Sequence, residues 1–214
     1  KYEKWAKDNN KLLIFDNAAT PFTFYNNKNS INFGVGSIIS FHHTKLLGYG
    51  EGGAIIVDKK YENIIRSLIN FKLNENEFDN KGNNFKMSDI NACYIIDYLK
   101  NFNNIVKKNI NLYNYFLKSL NKMNHIKLYN KYYDNNKILI GLLPLIFENE
   151  NMSLFYMNKL KENNIFSKKY YKPLDNSLKS NILYEKILCI PFHYDLNKDD
   201  INKIINILTS KPII

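Results

Sequence analysis

Two cysteines in 214 residues are too few for a disulfide scaffold. Cys93 and Cys189 each sit alone in an apolar pattern, so both read as core thiols of a reducing compartment. Long apolar runs are missing as well. The longest, Ile138 to Phe147, is interrupted by Gly141 and Pro144 and is too short to span a bilayer. Nothing at the start resembles a signal peptide, and no internal repeat is visible. Acidic residues are outnumbered 20 to 30 by basic ones, leaving a formal net charge of +10. The lysines are spread among asparagines and isoleucines, without a dense basic block, an Arg-rich helix or an aromatic RNA-binding string. Charge alone therefore does not make this a nucleic-acid-binding chain. The apolar content, 45%, is ordinary for a globular protein, and the length suffices for one large or two small domains.

Glycine is scarce too, eight in all, yet four of them fall between positions 48 and 53. Ser40-Phe41-His42-His43-Thr44-Lys45 stands just before this cluster, and Gly50-Glu51-Gly52-Gly53 forms part of it. The apolar stretch Gly36 to Phe41 predicts a short buried strand, and Ala54 to Val57 predicts another. Lys45 thus lies on a turn between two buried strands. A free lysine amine titrates near 10.4 and is a poor nucleophile at neutral pH. Desolvation or a neighbouring cation lowers that value, and such lysines form Schiff bases with carbonyls. The glycines permit positive φ and close backbone approach to a ligand, while Ser40 offers a hydroxyl to an anion. These parts point to a carbonyl cofactor with a phosphate tail, pyridoxal phosphate. A hairpin bearing an exposed lysine is the bland alternative for such a turn.

The string SFHHTK-x4-GEGGAIIV resembles the active-site segment of the DegT/DnrJ/EryC1/StrS family of pyridoxal-phosphate sugar aminotransferases. Two further segments fall in the family's order. Leu12 to Phe15 is an apolar run closing on Asp16, followed by Asn17, Ala18 and Ala19. It resembles the family's strand ending in Asp-x-Ala, whose aspartate pairs with the cofactor's protonated pyridine nitrogen. A one-residue slip would give that place to Asn17, which cannot supply the charge. Gly82-Asn83-Asn84-Phe85-Lys86-Met87 is similar to the family's Gly-x-Asn-aromatic-Arg-Met segment. Tyr170 to Leu174 and Ile187 to Pro191 look like its late Tyr-x2-Pro-Leu and Leu-Pro signatures.

The resemblance implies that Lys45 is the catalytic residue that holds pyridoxal phosphate, with Asp16 at the pyridinium and Ser40 at the phosphate. Asn84 would reach the phosphate of a neighbouring subunit in a homodimer with shared sites. Ala19 stands near the cofactor's hydroxyl, where the family usually has Gln or His, and Lys86 stands where it has Arg. The implied substrates are a nucleotide-linked keto-sugar and an amino-acid donor, glutamate in the first instance. The product would be an amino sugar for polysaccharide or glycan biosynthesis in the cytoplasm, with neither nucleic acid nor membrane as partner. The implied fold is α/β, that of a fold-type I pyridoxal-phosphate-dependent transferase. Residues 1–100 would form the C-terminal part of the large cofactor-binding domain, and residues 101–214 a small C-terminal α/β domain. Members carry further strands before the Asp16 strand, so the chain is expected to be the C-terminal portion of a longer protein. The alternative is a truncated, non-catalytic member or a binding subunit. Sister dehydratases of this fold replace the lysine with histidine, so Lys45 argues against them.

Along the chain, Tyr2–Asp8 predicts the end of a helix, Tyr61–Ile69 a helix, and Pro21–Phe33 a loop over the site. Residues 74–84 read as an acidic, Asn-rich loop. Ser88 caps a single long helix running through Leu99, Phe102, Ile105 and on to Leu120. A strand over Ile138–Phe147, a helix near Ser153–Lys161 and an amphipathic last helix capped at Asn197 complete the pattern. The aromatics around Tyr129, Tyr132 and Tyr133 read as core or half-buried strand positions. His42 and His43, taken as neighbours on a strand, would point to opposite faces, so no metal site is expected. His125 and His193 are assigned to loops.

Overall fold

The computed structural model describes residues 1–48, 50–72, 81–128 and 141–210. They form two compact units, Lys1–Phe102 and Asn103–Ile214. The Asn-rich residues 74–80 and the Tyr129, Tyr132 and Tyr133 group lie outside the described residues.

The first unit opens with helix α1 (Tyr2–Asp8) and strand β1 (Ile14–Asp16). A three-stranded sheet has the order β1-β4-β5, with β4 at Gly36–Ser40 and β5 at Gly53–Val57. β1 runs parallel to β4, and Asp16 is in register with Ile38. β4 and β5 are antiparallel, and Ser40 is in register with Gly53. A parallel pair needs a long crossover. Here that crossover is not the plain loop expected for Pro21–Phe33. It contains a hairpin, β2 (Phe24–Tyr25) and β3 (Lys28–Asn29), and then a short 3-10 turn. Asn26 and Asn27 make the hairpin turn at φ 49° and 61°. Asparagine tolerates that left-handed region without glycine, so the glycine-poor composition did not preclude a turn.

β4 is half-buried rather than wholly buried. Ser37 and Ile39 face the interior, while Ile38 stays 46% exposed. The small core comprises Ile39, Phe41, Leu47 and Ile95, flanked by Phe22, Ala54, Ile56, Met87 and Tyr98. Helix α2 (Glu62–Leu68) follows β5, and α3 (Asp89–Lys100) starts at Ser88, whose Oγ accepts from the Asn91 N–H at 3.2 Å. The single helix expected from the periodicity is two. α3 stops at Asn101 (φ −96°, ψ 10°), and α4 (Phe102–Leu120) begins at the next residue. Apolar spacing persists across the break, so the pattern cannot report it, whereas asparagine readily leaves helical geometry. Cys93 corrects a second expectation, because it lies on the exposed side of α3.

The second unit contains most of α4, then β6 (Ile126–Leu128), β7 (Leu142–Phe147), α5 (Glu150–Glu162), α6 (Leu178–Lys186), β8 (Ile187–Pro191) and α7 (Lys198–Thr209). β7 is the middle strand of an antiparallel sheet. A proline in a middle strand normally removes a ladder bond. Pro144 lies opposite Cys189, whose own N–H and C=O pair instead with Lys168 on the far side. The pair is therefore a non-bonded one, and β8 asks nothing of the missing N–H. Phe116, Leu143, Leu145, Tyr156, Leu188, Ile190 and Leu208 are sealed in the core between sheet and helices. No described helix is long and apolar enough to cross a membrane.

Candidate active site

β1 and β4 are parallel, so their carboxyl ends lie at the same end of the sheet, where open α/β folds collect ligand contacts. Asp16 closes β1 and Ser40 closes β4. Alternation puts Ile14, Asp16, Ile38 and Ser40 on one face, and Phe15, Ser37 and Ile39 on the other. Exposure agrees: Asp16 and Ile38 are open, whereas Ser37 and Ile39 are buried. Asp16 accepts the Ala18 N–H at 3.0 Å and keeps its remaining acceptor capacity. Asn17 goes inward. It is 3% exposed, and its Nδ2 donates to Ser37 Oγ at 2.7 Å. Its backbone N–H extends the ladder to Ile38 O at 2.9 Å. Ala19 lies exposed in the turn that follows.

After Ser40 the chain folds into a narrow paired turn. Phe41 N–H donates to Gly52 O at 2.9 Å, and His43 N–H to Gly50 O at 2.8 Å. Two tight turns then bracket Lys45: its N–H donates to His42 O, and Gly48 N–H donates to Lys45 O, both at 2.8 Å. Lys45 is half-buried, and among the described residues its ammonium has no hydrogen-bond or ion-pair partner. Leu47 anchors the turn in the core, and Tyr98 Oη donates to Leu46 O at 3.1 Å. The Ser40 hydroxyl oxygen accepts the His42 N–H at 3.2 Å, which leaves its own proton free to point outward. A free amine, an outward hydroxyl and a carboxylate at one end of a sheet suit an aldehyde that carries a phosphate and a basic ring nitrogen.

The glycine cluster has a packing cause. Gly52 sits at φ +136°, and a Cβ there would lie 2.2 Å from Met87 Sδ. Asn91 Nδ2 donates to Glu51 O at 2.9 Å. The start of α3 thus braces the Gly50–Gly53 turn from outside. Sequence reasoning missed Met87, Asn91 and Tyr98 in this role, because their partners are backbone atoms some 35 to 52 positions away. Asn84 belongs to another segment. Asn83, Asn84 and Phe85 are held to the end of α2 and to Asn70 by backbone pairing, and Asn84 is exposed. Lys86 donates to Asn70 Oδ1 at 2.6 Å and lies 5.5 Å from the Phe71 ring centre, which steadies the same loop. Hence Asp16 and Ser40 close neighbouring strands at one end of the sheet, Lys45 lies in the turn that follows Ser40, and Asn84 lies on a separate exposed loop.

His42 and His43 do not point to opposite faces. β4 ends at Ser40, both residues lie in the turn, and their rings stand 4.1 Å apart. The alternation rule failed because the strand had already stopped.

The fold is shared with a class of solved structures, the aminotransferases. An aminotransferase of this kind from Brucella abortus superposes with a TM-score of 0.82 at 23% identity, covering 97% of this chain and 59% of that one. Helicobacter pylori PseC, an aminotransferase involved in the biosynthesis of pseudoaminic acid, gives 0.80 at 17% identity, over 96% and 61%. The sequence profile of the DegT/DnrJ/EryC1/StrS aminotransferase family matches residues 1–209, and the chain belongs to that family. It is 27% identical over 222 residues to a dTDP-4-amino-4,6-dideoxy-D-glucose transaminase of Shigella dysenteriae, across 94% of this chain and 59% of the relative. An Escherichia coli transaminase of the same name is 31% identical over 184 residues, across 75% and 48%. The chain therefore spans about half to three fifths of the curated relatives it matches.

Proposed function

We propose that this chain is the lysine-bearing part of a pyridoxal-phosphate-dependent aminotransferase that converts a nucleotide-linked keto-sugar to an amino sugar. The observation that carries the reading is the Lys45 turn. It presents a half-buried amine without a described partner, on the turn that follows Ser40 at the sheet end that also holds Asp16. When bound, pyridoxal phosphate supplies an electron sink for the carbon that carries the amine. Lys45 would hold the cofactor through its amine, and once displaced by an amino donor it would carry the proton between the two reacting carbons. Ser40 would donate to the phosphate, its Oγ kept in place by the His42 N–H. Asp16 would stay anionic against the ring nitrogen. It shares a face with Ser40 and lies two residues short of it along the neighbouring strand.

Residues 1–100 then serve as the C-terminal part of a large cofactor-binding domain, and 101–214 as a small α/β domain. Glutamate is the donor favoured by the family resemblance. Asn84, on its exposed loop, would serve the phosphate of a second subunit in a homodimer, and Ala19 would line the cofactor. Both cysteines are free, which suits a reducing cytoplasm, and the family resemblance favours a role in surface-polysaccharide or glycan precursor supply.

A second reading is favoured by Asn17. It is buried and hydrogen-bonded beside β4, while Asp16 is open to solvent. If Asn17 meets the ring nitrogen, the charge is missing and the chain is a weak or non-catalytic member, or a binding subunit.

The test is cofactor capture by the whole protein. Pyridoxal phosphate should produce a visible absorbance band, and borohydride reduction with peptide mapping should place the adduct on Lys45. An adduct on another lysine overturns the assignment. Asp16→Asn should lower turnover about 10²–10³-fold, by analogy with loss of one preorganised charge. If turnover instead rises in Asn17→Asp and is untouched in Asp16→Asn, the second reading holds.

A further inference from the structure

We infer that His42, His43 and Glu51 form a binding site for a zinc-class divalent cation across the neck of the Lys45 turn. One ring nitrogen from each histidine and one Glu51 carboxylate oxygen all lie within 4.8 Å of one another. His42 Nε2 is already 3.6 Å from Glu51 Oε1. Zinc ligands at about 2.0–2.2 Å in tetrahedral array stand about 3.3–3.6 Å apart. The His42–Glu51 pair is thus near ligand spacing. His43 and Glu51 are exposed, so side-chain rotation closes the remaining gap without moving backbone. Two imidazoles and one carboxylate suit a borderline ion such as Zn²⁺ or Co²⁺, and leave a fourth position for water.

The backbone beneath these donors is fixed from both sides. His43 N–H donates to Gly50 O, and Phe41 N–H to Gly52 O, so residues 41–43 and 50–52 are locked as two arms. Asn91 Nδ2 holds the Glu51 carbonyl at 2.9 Å. Thr44 Oγ1 lies 2.8 Å from His42 Nδ1. With the proton on Nδ1 and the hydroxyl accepting it, the Nε2 lone pair faces Glu51. That outer partner orients an imidazole toward a metal. Thr44 N–H donates to Nδ1 at 3.3 Å in the opposite tautomer, so metal binding would exchange that bond for the one from Nδ1–H to Thr44 Oγ1. A bound cation would tie the two arms together and restrict the loop that carries Lys45, whether or not that lysine holds a cofactor.

The test uses the full chain, untagged and stripped with a chelator. Co²⁺ is titrated while its visible d–d absorbance is followed, and Zn²⁺ affinity is read by displacement. One equivalent should bind with the intense bands of four- or five-coordinate cobalt. His42→Ala, His43→Ala and Glu51→Gln should each weaken Zn²⁺ at least tenfold, and Thr44→Val should weaken it less. His193→Ala should leave binding intact, since that exposed histidine pairs with Asp195 and is not one of the three clustered donors. Glu51→Gln keeps size and exposure, so it separates ligand loss from misfolding. Absence of stoichiometric binding, or binding unchanged in Glu51→Gln and both histidine variants, overturns the site. Neither result depends on cofactor capture, so failure here leaves the aminotransferase reading untouched.

Discussion

Gly52 shows how much one residue carries at the Lys45 turn. Its φ of +136° is a conformation that side chains resist, and Met87 Sδ fills the space a Cβ would need. Gly52→Ala should therefore destabilise the protein by about 1–3 kcal/mol, read by urea unfolding. It should also weaken cofactor capture, because Gly52 O holds the Phe41 N–H that starts the turn. A neutral result would mean that Met87 swings aside freely. Tyr98→Phe is milder, since it removes one hydrogen bond to Leu46 O and keeps the ring in the core. It should cost about 0.5–1.5 kcal/mol and loosen the residue next to Lys45, raising the cofactor's apparent dissociation constant.

Helix α7 is the clearest case at the scale of an element. Asn197 Oδ1 accepts from the N–H groups of Asp199 and Asp200, and Asp200 Oδ2 accepts the Asn197 N–H in return. Ile201, Ile204 and Leu208 then fall on the buried face. Asn197→Ala should cost about 1 kcal/mol by thermal or urea unfolding, and an unchanged midpoint would refute the cap's contribution. The far end of α7 meets Tyr156 of α5, whose hydroxyl donates to Ser210 O at 2.9 Å and lies 2.9 Å from His125 Nε2. Burial raises the Tyr156 phenol above its ordinary value near 10. Its neutral form is thus favoured in the folded state. That stability is fully present below pH ~10 and falls as pH climbs from there through the raised value. Tyr156→Phe should be less stable at neutral pH but should decline less steeply above pH ~10. A parallel decline in both proteins would rule Tyr156 out as the source.

At the scale of the whole molecule, the two units are unequal. The core of Asn103–Ile214 contains 17 buried apolar residues among those described, and that of Lys1–Phe102 contains four. In the smaller core's sheet, Ile14, Ile38 and Ile55 stay 59%, 46% and 48% exposed. Less apolar burial means cheaper local opening. Amide hydrogen exchange should accordingly be faster in β4 and β5 than in β7 and β8. Slower exchange in β4 and β5 would show that the sheet of the first unit is covered in solution. The same imbalance makes the Lys45 turn depend on its brace from α3, through Met87, Asn91 and Tyr98.

Local chemistry let the sequence alone determine the strands flanking Lys45 and the caps at Ser88 and Asn197, because each depends on neighbours within a few positions, and short segments in order along the chain identified the family. Apolar periodicity was less reliable. It ran through Asn101 as though α3 and α4 were one helix, and it buried Cys93, since spacing records polarity but not where a helix stops or which face is covered. Asp16 and Asn17 were indistinguishable as letters. Only pairing of β1 with β4 sent one outward beside Ser40 and the other inward to Ser37. The close approach of His42, His43 and Glu51 was likewise decided by tertiary structure, because it requires β4 to end at Ser40 and the chain to return on itself at Gly50. Side chains meet through backbone geometry, and that geometry is set by contacts distant in sequence.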